Sequence, residues 1–583
     1  MKMTKGLQRW MPGLVMLRDY QRAWFRRDLA AGMALTAILI PVGMGYAEAS
    51  GLPAIHGLYA TILPLIAYAI FGPSRIMVLG PDSTMAAVIA AIILPLSGGS
   101  VERAVALAGM LAILTGGWCL LIGLARLGLI ADLLSKPIRI GFLNAIALTV
   151  LVGQLPKVFG FSVPADNLIE RVTGLVQGIT QGRTHGISLA IGATCLALIL
   201  LLKRYRPHWP GLLAAVLLAL VVSALLDLHQ TSGLSVVGVL PEGLPGLRWP
   251  ATSLQDMLQL LPGALMIATL AFADTSVLSR SLALRGGYSV SQNQEMIALG
   301  AANAAAGLFQ GFPISSSASR TPVAESAGAQ SQATGLVGAA AIALLLILAP
   351  GLLTSLPTAA LAAVVITACL SFADLSGMWE LWRLRRMEFV LSMTSFLGVA
   401  FIGVIQGIFV TVALAVAVLV WNAWHPHFAV LARVDGRKGY HDAARHPEGR
   451  QVPGLVLFRW DAQLFFANAE LFREEVLLAA TQAPSPTRRV VVVADAITDV
   501  DITAADMLIA LHGELQALGI ELYFAGLKGP VRDRLVHYGT LLVLGLDIFS
   551  PTVGSAVNLY QRDHQVPWED WEDRADREAQ APP

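Results

Sequence analysis

Long apolar runs separated by short polar breaks dominate the chain. The first series covers about 29–48, 55–71, 81–96, 103–124, 131–153, 186–203 and 211–227. A polar stretch rich in Gly and Pro, HQTSGLSVVGVLPEGLPGLRW, follows within 228–258 and reads as an extended connector. A second series covers about 259–283, 295–310, 317–330, 333–350, 356–373, 388–404 and 406–424. A helix needs ~20 apolar residues to cross the hydrocarbon core, and several of these runs are shorter. The pattern predicts fourteen transmembrane segments, arranged as one seven-helix repeat over 29–227 and a second over 259–424. An odd number of spans inverts the second copy relative to the first.

The third run of each series is both short and unusual at its entrance. VLGPDSTMAAVIA (78–90) and GFPISSSASRTPVAESAGAQS (311–331) place Pro and small hydroxyl residues where a spanning helix would otherwise begin. Pro suits the first turn of a helix that starts partway through the bilayer, because the N–H it lacks has no partner there. Broken helices at matching positions in two halves mark the midplane binding site of a transporter. Their positive ends would face the site, so an anion is the expected cargo.

Composition narrows the class. The 583 residues are 55% hydrophobic and only 14% charged, against roughly 25% charged in water-soluble domains, so the chain is an integral membrane protein with a polar appendage. A net charge of +1 with no basic stripe excludes a nucleic-acid partner. Cys119, Cys195 and Cys369 sit in apolar runs without metal-ligand spacing and read as small core residues; no metal or other cofactor is expected. Residues 1–28 are polar and end in Arg18, Arg22, Arg26 and Arg27, which places the N-terminus in the cytoplasm of a multi-pass inner-membrane protein. Lys203, Arg204, Arg206, Arg383, Arg385 and Arg386 flank later spans in agreement, and an even span count returns the C-terminus to the same side.

After Trp424 the texture changes. GLVLFRW, RRVVVVADA and IELYFAGL are β-rich runs that alternate with helical patterns near 468–481, 503–518 and 528–538. Such alternation predicts a compact α/β domain over 430–560. Residues 561–583, with WEDWEDRADREAQAPP, are acidic and aperiodic and read as a disordered tail.

PVGMGYAEASGLPAIHGLY (41–59), VLGPDS (78–83), GFLNAIALTVLVGQLPKVFG (141–160), VVGVLPEGLP (236–245), NQEMIALGAANAAAGLFQGFPISSSASRTPV (293–323) and LWRLRRMEF (381–389) resemble the SulP family of anion transporters. PGLVLFRWDAQLFFANAELFREEV (453–476), VDITAADML (500–508) and AGLKGPVRD (525–533) resemble that family's C-terminal cytoplasmic STAS domain. The likeness spans about 20–560. It implies a mobile core of helices 1–4 and 8–11, a gate of helices 5–7 and 12–14, a substrate between the third and tenth helices, and an elevator-like slide of the core. It also implies a homodimer formed partly through the STAS domain.

The candidate substrate ligands at the second break are Ser315, Ser316, Ser317, Ser319, Arg320 and Thr321. Hydroxyls there replace lost hydration, and the Arg320 fork matches oxyanion geometry. Opposing them at the first break are Gly80, Pro81, Ser83 and Thr84, while Asp82 reads either as a helix cap or as an ion-coupling acid. Tyr46 in the first helix matches the family segment facing the site, with core packing an equal reading. Asp274 aligns with a family acidic position; an acid at mid-bilayer costs roughly 2.5–3.5 kcal/mol, so its default reading is functional, as carrier of a coupling proton or ligand for sodium. The family's bicarbonate-carrying branch has a hydroxyl four residues beyond this acid, where this chain has Leu278 followed by Ser279, and Gln406 stands where relatives often have an acid. The first departure argues against sodium coupling, and the second against a further coupling site at Gln406. Glu295 and Asn303 belong to a ninth-helix signature expected to orient rather than contact the substrate. In the STAS segment, Thr503 occupies the phosphoacceptor position of related bacterial antagonists, and Asp501 or Thr503 equally suits a helix cap.

These features predict a secondary transporter of a small inorganic oxyanion, sulfate first, coupled to protons. Bicarbonate with sodium, or a C4-dicarboxylate, are the alternatives on the same scaffold. A membrane-anchored STAS sensor is the alternative of another class. No nucleophile–base pair suggests an enzyme.

Overall fold

The protein is described by a computed structural model over residues 10–126, 136–163, 168–206, 211–241 and 243–571. It divides into two compact units, 1–414 and 415–583. The apolar runs form helices close to their predicted bounds: α1 Phe25–Ala49, α2 Ile55–Phe71, α3 Ser83–Ser97, α4 Val101–Leu124, α5 Lys136–Val158, α6 Gly186–Tyr205 and α7 Gly211–Leu225, then α8 Leu254–Gly286, α9 Gln292–Leu308, α10 Arg320–Ser326, α11 Ala333–Leu348, α12 Thr358–Phe372, α13 Arg386–Leu397 and α14 Val404–Trp424. The start of the fifth predicted span, 131–135, lies outside the described residues. Among the described residues, six helices are long and apolar enough to cross a bilayer by themselves.

Two departures from the apolar pattern are informative. The tenth segment, expected to be helical over 317–330, holds only the seven-residue α10, because Ser315–Ser319 is extended or turned. Two amphipathic helices, Leu168–Thr180 and Leu375–Leu384, escaped the apolar-run reading because each has a single greasy face. They follow α5 and α12 respectively, which are equivalent positions in the two series.

Close helix packing rests on glycine. A Cβ on Gly57 of α2 would stand 1.9 Å from the Gly43 carbonyl oxygen of α1, and one on Gly307 of α9 would stand 2.3 Å from the Gly109 carbonyl oxygen of α4. Gly116 and Gly300 repeat the second contact two turns along. Small residues are what allow membrane helices to approach so closely, since lipid offers no hydrophobic drive between them. Cys119, Cys195 and Cys369 are buried and unpaired by disulfides.

The second unit carries a six-stranded sheet in the order β4-β3-β5-β6-β7-β8. Its strands are β3 Phe428–Arg433, β4 Tyr440–Asp442, β5 Leu455–Trp460, β6 Arg489–Val493, β7 Glu521–Ala525 and β8 Phe549–Ser550. β5 to β8 are parallel, and β3 runs antiparallel to β4 and β5. Alternate residues serve opposite faces. Phe458, Val492 and Phe524 pack with Phe472 of α15 (Ala469–Thr481) and Leu508 of α16 (Ile502–Ala517), while Leu457, Val491 and Ala525 pack with Ala556 and Tyr560 of α18 (Val553–His564). The helix α17, Gly529–His537, precedes the last strand and completes the set.

The boundary at 561 needs correction. α18 continues to His564, Trp568 packs on the sheet, and Asp570 accepts from Arg433 Nε at 2.7 Å and Nη2 at 2.9 Å. Acids and tryptophans that read as a solvated tail find Arg433 of β3 and Arg450, which bridges to it, with Arg450 stacked 4.7 Å over the Trp568 ring. Residues 572–583 of the expected tail lie outside the described residues.

Arg489 is the most buried charge of this unit, its side chain only 2% exposed. It donates to Glu521 at 2.5 Å and to Asp563 at 2.8 Å and lies 3.9 Å over the Tyr523 ring. Breaking a buried pair by removing one partner is costly, but both acids here are solvent-accessible and rehydrate. Arg489→Ala is therefore expected to destabilise this domain by ~2 kcal/mol, read as a lower denaturant midpoint in chemical unfolding followed by Trp fluorescence. An unchanged midpoint would show that the pair contributes nothing.

Candidate functional site

The two broken segments meet. The strand β1, Leu79–Gly80, pairs antiparallel with β2, Ser315–Ser316, in the register Leu79↔Ser316 and Gly80↔Ser315. The Ser317 N–H extends the ladder to the Val78 carbonyl at 3.0 Å, and the Val78 N–H donates to Thr321 Oγ1 at 3.1 Å. This two-residue pairing satisfies backbone groups that would otherwise be orphaned inside a membrane domain. It also sets the start of α3 beside the start of α10.

Other elements hold the pairing in place. Asn303 of α9 grips the backbone of Ile314 on both sides, accepting from its N–H at 2.9 Å and donating to its carbonyl at 3.1 Å. Glu295 of the same helix accepts from Tyr68 Oη at 2.8 Å and from Ser74 Oγ at 2.5 Å, anchoring the approach to β1. Gln332 donates to the Ser74 and Met77 carbonyls. Asp28 of α1 accepts from the Gln330 and Ser331 N–H groups and from the Ser331 and Thr334 hydroxyls, fixing the turn between α10 and α11. Glu295 and Asn303 thus orient the breaks.

Arg320 is the centre of the arrangement. Its side chain is buried, and Nη2 donates to the Pro81 carbonyl across the junction. Among the described residues Nη1 and Nε have no partner, nor does the buried Ser315 Oγ. Gly80 is required at its position twice over: its φ is +151°, and a Cβ there would stand 3.1 Å from Arg320 Nη1.

The remaining predicted ligands divide into two groups. Asp82 caps α3, its Oδ1 accepting from the Thr84 N–H at 3.0 Å and the Thr84 hydroxyl at 2.8 Å. Pro81 therefore stands just before the cap rather than in the first helical turn. Thr321 is spent on Val78, and Ser317 Oγ accepts from the Arg320 N–H at 3.2 Å and lies 3.2 Å from Ser319 Oγ. Ser83 is half-buried and Ser319 exposed. Tyr46, buried in α1, lies within the electrostatic reach of Asp82, Arg320 and the Ser83 hydroxyl.

Asp274 of α8 is half-buried and has no hydrogen-bond partner among the described residues. Its charged neighbours are Asp82 and Arg139 of α5. Two contributors went unread in the sequence. Ser276, buried on α8 with an unpartnered hydroxyl, follows Thr275, which donates to Ser316 Oγ at 3.1 Å. Their signal was the hydroxyl pair directly after Asp274. Arg139, near the start of α5, carries no local pattern that singles it out in the sequence. Gln406 lines a cleft together with Glu48, Ala87 and Lys157. In the other unit, Asp501 caps α16 through the Ala504 N–H at 2.8 Å, which leaves the exposed Thr503 hydroxyl outside the cap.

Comparison with known proteins places the chain in a family. Residues 25–395 match the sulfate permease family, and residues 446–556 match the STAS domain. The chain belongs to the sulfate permease family. It is 39% identical over 553 residues to a probable sulfate transporter of Mycobacterium tuberculosis, an alignment covering 95% of this chain and 98% of that one. It is 31% identical over 487 residues to solute carrier family 26 member 6 of Homo sapiens, covering 80% and 64%. The structure of SLC26A9 superposes with a TM-score of 0.85 at 23% identity, covering 97% of this chain and 94% of that one. The transmembrane domain of the cyanobacterial bicarbonate transporter BicA gives 0.58 at 20% identity, covering 68% and 98%. These last two likenesses speak to the fold, an α-helical membrane protein with a C-terminal STAS domain, and family membership makes it an anion transporter.

Proposed function

We propose that the protein is a secondary active transporter of a small oxyanion, sulfate in the first instance, taken up together with protons. The observation that carries this reading is the buried Arg320 guanidinium, whose Nε and Nη1 have no partner among the described residues, on the same break as the unpartnered Ser315 hydroxyl; Ser276, also unpartnered, follows the Thr275 that donates to Ser316. Buried donors without acceptors are costly, and an oxyanion supplies acceptors to all of them. α10 is too short for a strong macrodipole and α3 is capped by its own Asp82, so the guanidinium, more than the helix ends, attracts the anion.

Charge balance supplies the coupling. Arg320 and Arg139 face Asp82 and Asp274, and with all four ionised the site has no net charge to offer. A proton on one carboxylate removes its repulsion and leaves a net positive site for the anion. Anion and proton then enter together. Sodium near Asp274 would do the same electrostatically, and this keeps bicarbonate carriage as the second reading. We further propose that α1–α7 and α8–α14 are inverted repeats, with the equivalent amphipathic helices as their clearest shared irregularity. The core would then slide against the gate to expose the site alternately. A homodimer in the plasma membrane with cytoplasmic termini belongs to the same reading, as does phosphorylation at Thr503.

The test is uptake of labelled sulfate, bicarbonate and succinate by proteoliposomes under imposed pH and sodium gradients. Sulfate accumulation driven by an inward proton gradient is expected; indifference to pH would end the coupling proposal. Asp274→Asn should lower gradient-driven accumulation roughly tenfold or more, while counterflow exchange at equal pH persists. Undiminished accumulation would remove Asp274 from the mechanism.

A further inference from the structure

Away from Arg320, the membrane unit contains a cleft of about 730 Å³. One wall is the Ala87, Ala90, Ala91 and Leu94 face of α3, so its deep end lies one helical turn from Ser83, where that helix begins. Its rim is formed where α1, α3 and α5 end together, including Glu48 and Lys157. The cleft therefore follows α3 from Leu94 to Ala87, one turn short of the helix start at the junction of the two breaks.

Lys157 Nζ donates to Glu48 Oε2 at 3.2 Å and to the Glu48 backbone carbonyl at 3.4 Å. The ammonium is thus bound both to a carboxylate and to the last turn of α1. Neither side chain is sealed away, with 30% of Lys157 and 14% of Glu48 exposed. Gln154, one turn earlier on α5, lines the same cleft; it is 95% buried by its 5% exposure, and its Oε1 has no partner. An amide can turn either its oxygen or its N–H₂ toward a ligand.

A carboxylate alone at the mouth of such a cleft would repel an anion, and an ammonium beside it cancels that repulsion. We infer that Lys157 is an anion-loading residue. An incoming oxyanion displaces the Glu48 carboxylate from the ammonium and is held by Lys157, facing the Gln154 amide. From there it moves along α3 toward Arg320. Lys157 and Glu48 together set the affinity for external anion, and the inference rests on the transport reading given above.

The experiment measures initial rates of labelled sulfate uptake against sulfate concentration, at fixed ionic strength, in proteoliposomes of full-length protein carrying K157Q, K157R or E48Q. K157Q exposes the unpaired Glu48 and should raise KM roughly five- to twentyfold, the factor that one lost unit charge supplies at a partly solvated site, with the change in KM rather than kcat. E48Q frees the ammonium and should lower KM by about two- to fivefold, while K157R should stay within about twofold of the unmodified protein. Opposite signs for K157Q and E48Q support loading. Equal signs overturn it, because both variants break the same contact and a mere latch between α1 and α5 responds identically. No change in either KM overturns it as well. Should K157Q fail to insert, judged by gel filtration, the sign of the E48Q shift decides. If the unmodified protein moves none of sulfate, bicarbonate or succinate, the transport reading itself fails and loading falls with it.

Discussion

Arg320→Gln is expected to reduce saturable oxyanion uptake by about a hundredfold or more, the equivalent of ~2.7 kcal/mol of lost anion stabilisation. The side chain is buried, makes one hydrogen bond to Pro81, and leaves Nη1 and Nε free. A glutamine in its place ends two bonds short of the Pro81 carbonyl and removes both the charge and the fork. The two carboxylates would then face Arg139 alone, a net negative site, so the anion meets repulsion in addition to losing its donors. Arg320→Lys should recover only part of the activity, since a point-like ammonium cannot serve Pro81 and a bidentate oxyanion together. The readout is uptake normalised to inserted protein, with gel filtration reporting assembly. Wild-type uptake by Arg320→Gln would mean that the guanidinium is a structural strut between the two breaks.

Gly57→Val should be the most damaging substitution outside the site. The Cβ alone would lie 1.9 Å from the Gly43 carbonyl oxygen, closer than any real contact, and neither backbone can yield without separating α1 from α2. Overpacking a tight core commonly costs 1–3 kcal/mol, and a backbone-to-backbone clash should reach at least ~3 kcal/mol. α1 carries Tyr46 and Glu48, so even a folded fraction would present a displaced site. The expected result is loss of the monodisperse peak in detergent, with a large drop in the melting temperature of what remains. A variant that elutes and melts like the unmodified protein would show that the helices cross less tightly than the structure has them.

Much of this was legible because the membrane imposes a simple grammar. Apolar runs report helices directly, and the bounds of α2 agree with the run at 55–71. The interruptions at 78–90 and 311–331 announced a site because Gly, Pro and hydroxyls are expensive there without purpose. What pattern could not convey was pairing. Nothing local says that Thr84 closes on Asp82 while Ser315 stays open, or that Thr321 reaches back to Val78. Those outcomes depend on register between strands remote in sequence. The amphipathic helices were lost for a different reason: an apolar-run criterion ignores a one-sided periodicity. The acidic end of the chain misled because Arg433 and Arg450 supply partners that composition alone does not reveal.

The claim at the centre of the account is that an oxyanion occupies the junction of the two breaks. The most direct measurement is the anomalous scattering of crystals of the intact protein grown with selenate. A selenium peak within hydrogen-bonding distance of Arg320 Nη1 or Nε, between Ser315 and the start of α3, is the predicted result. A peak elsewhere, with Arg320 unchanged and unoccupied at saturating selenate, would contradict it.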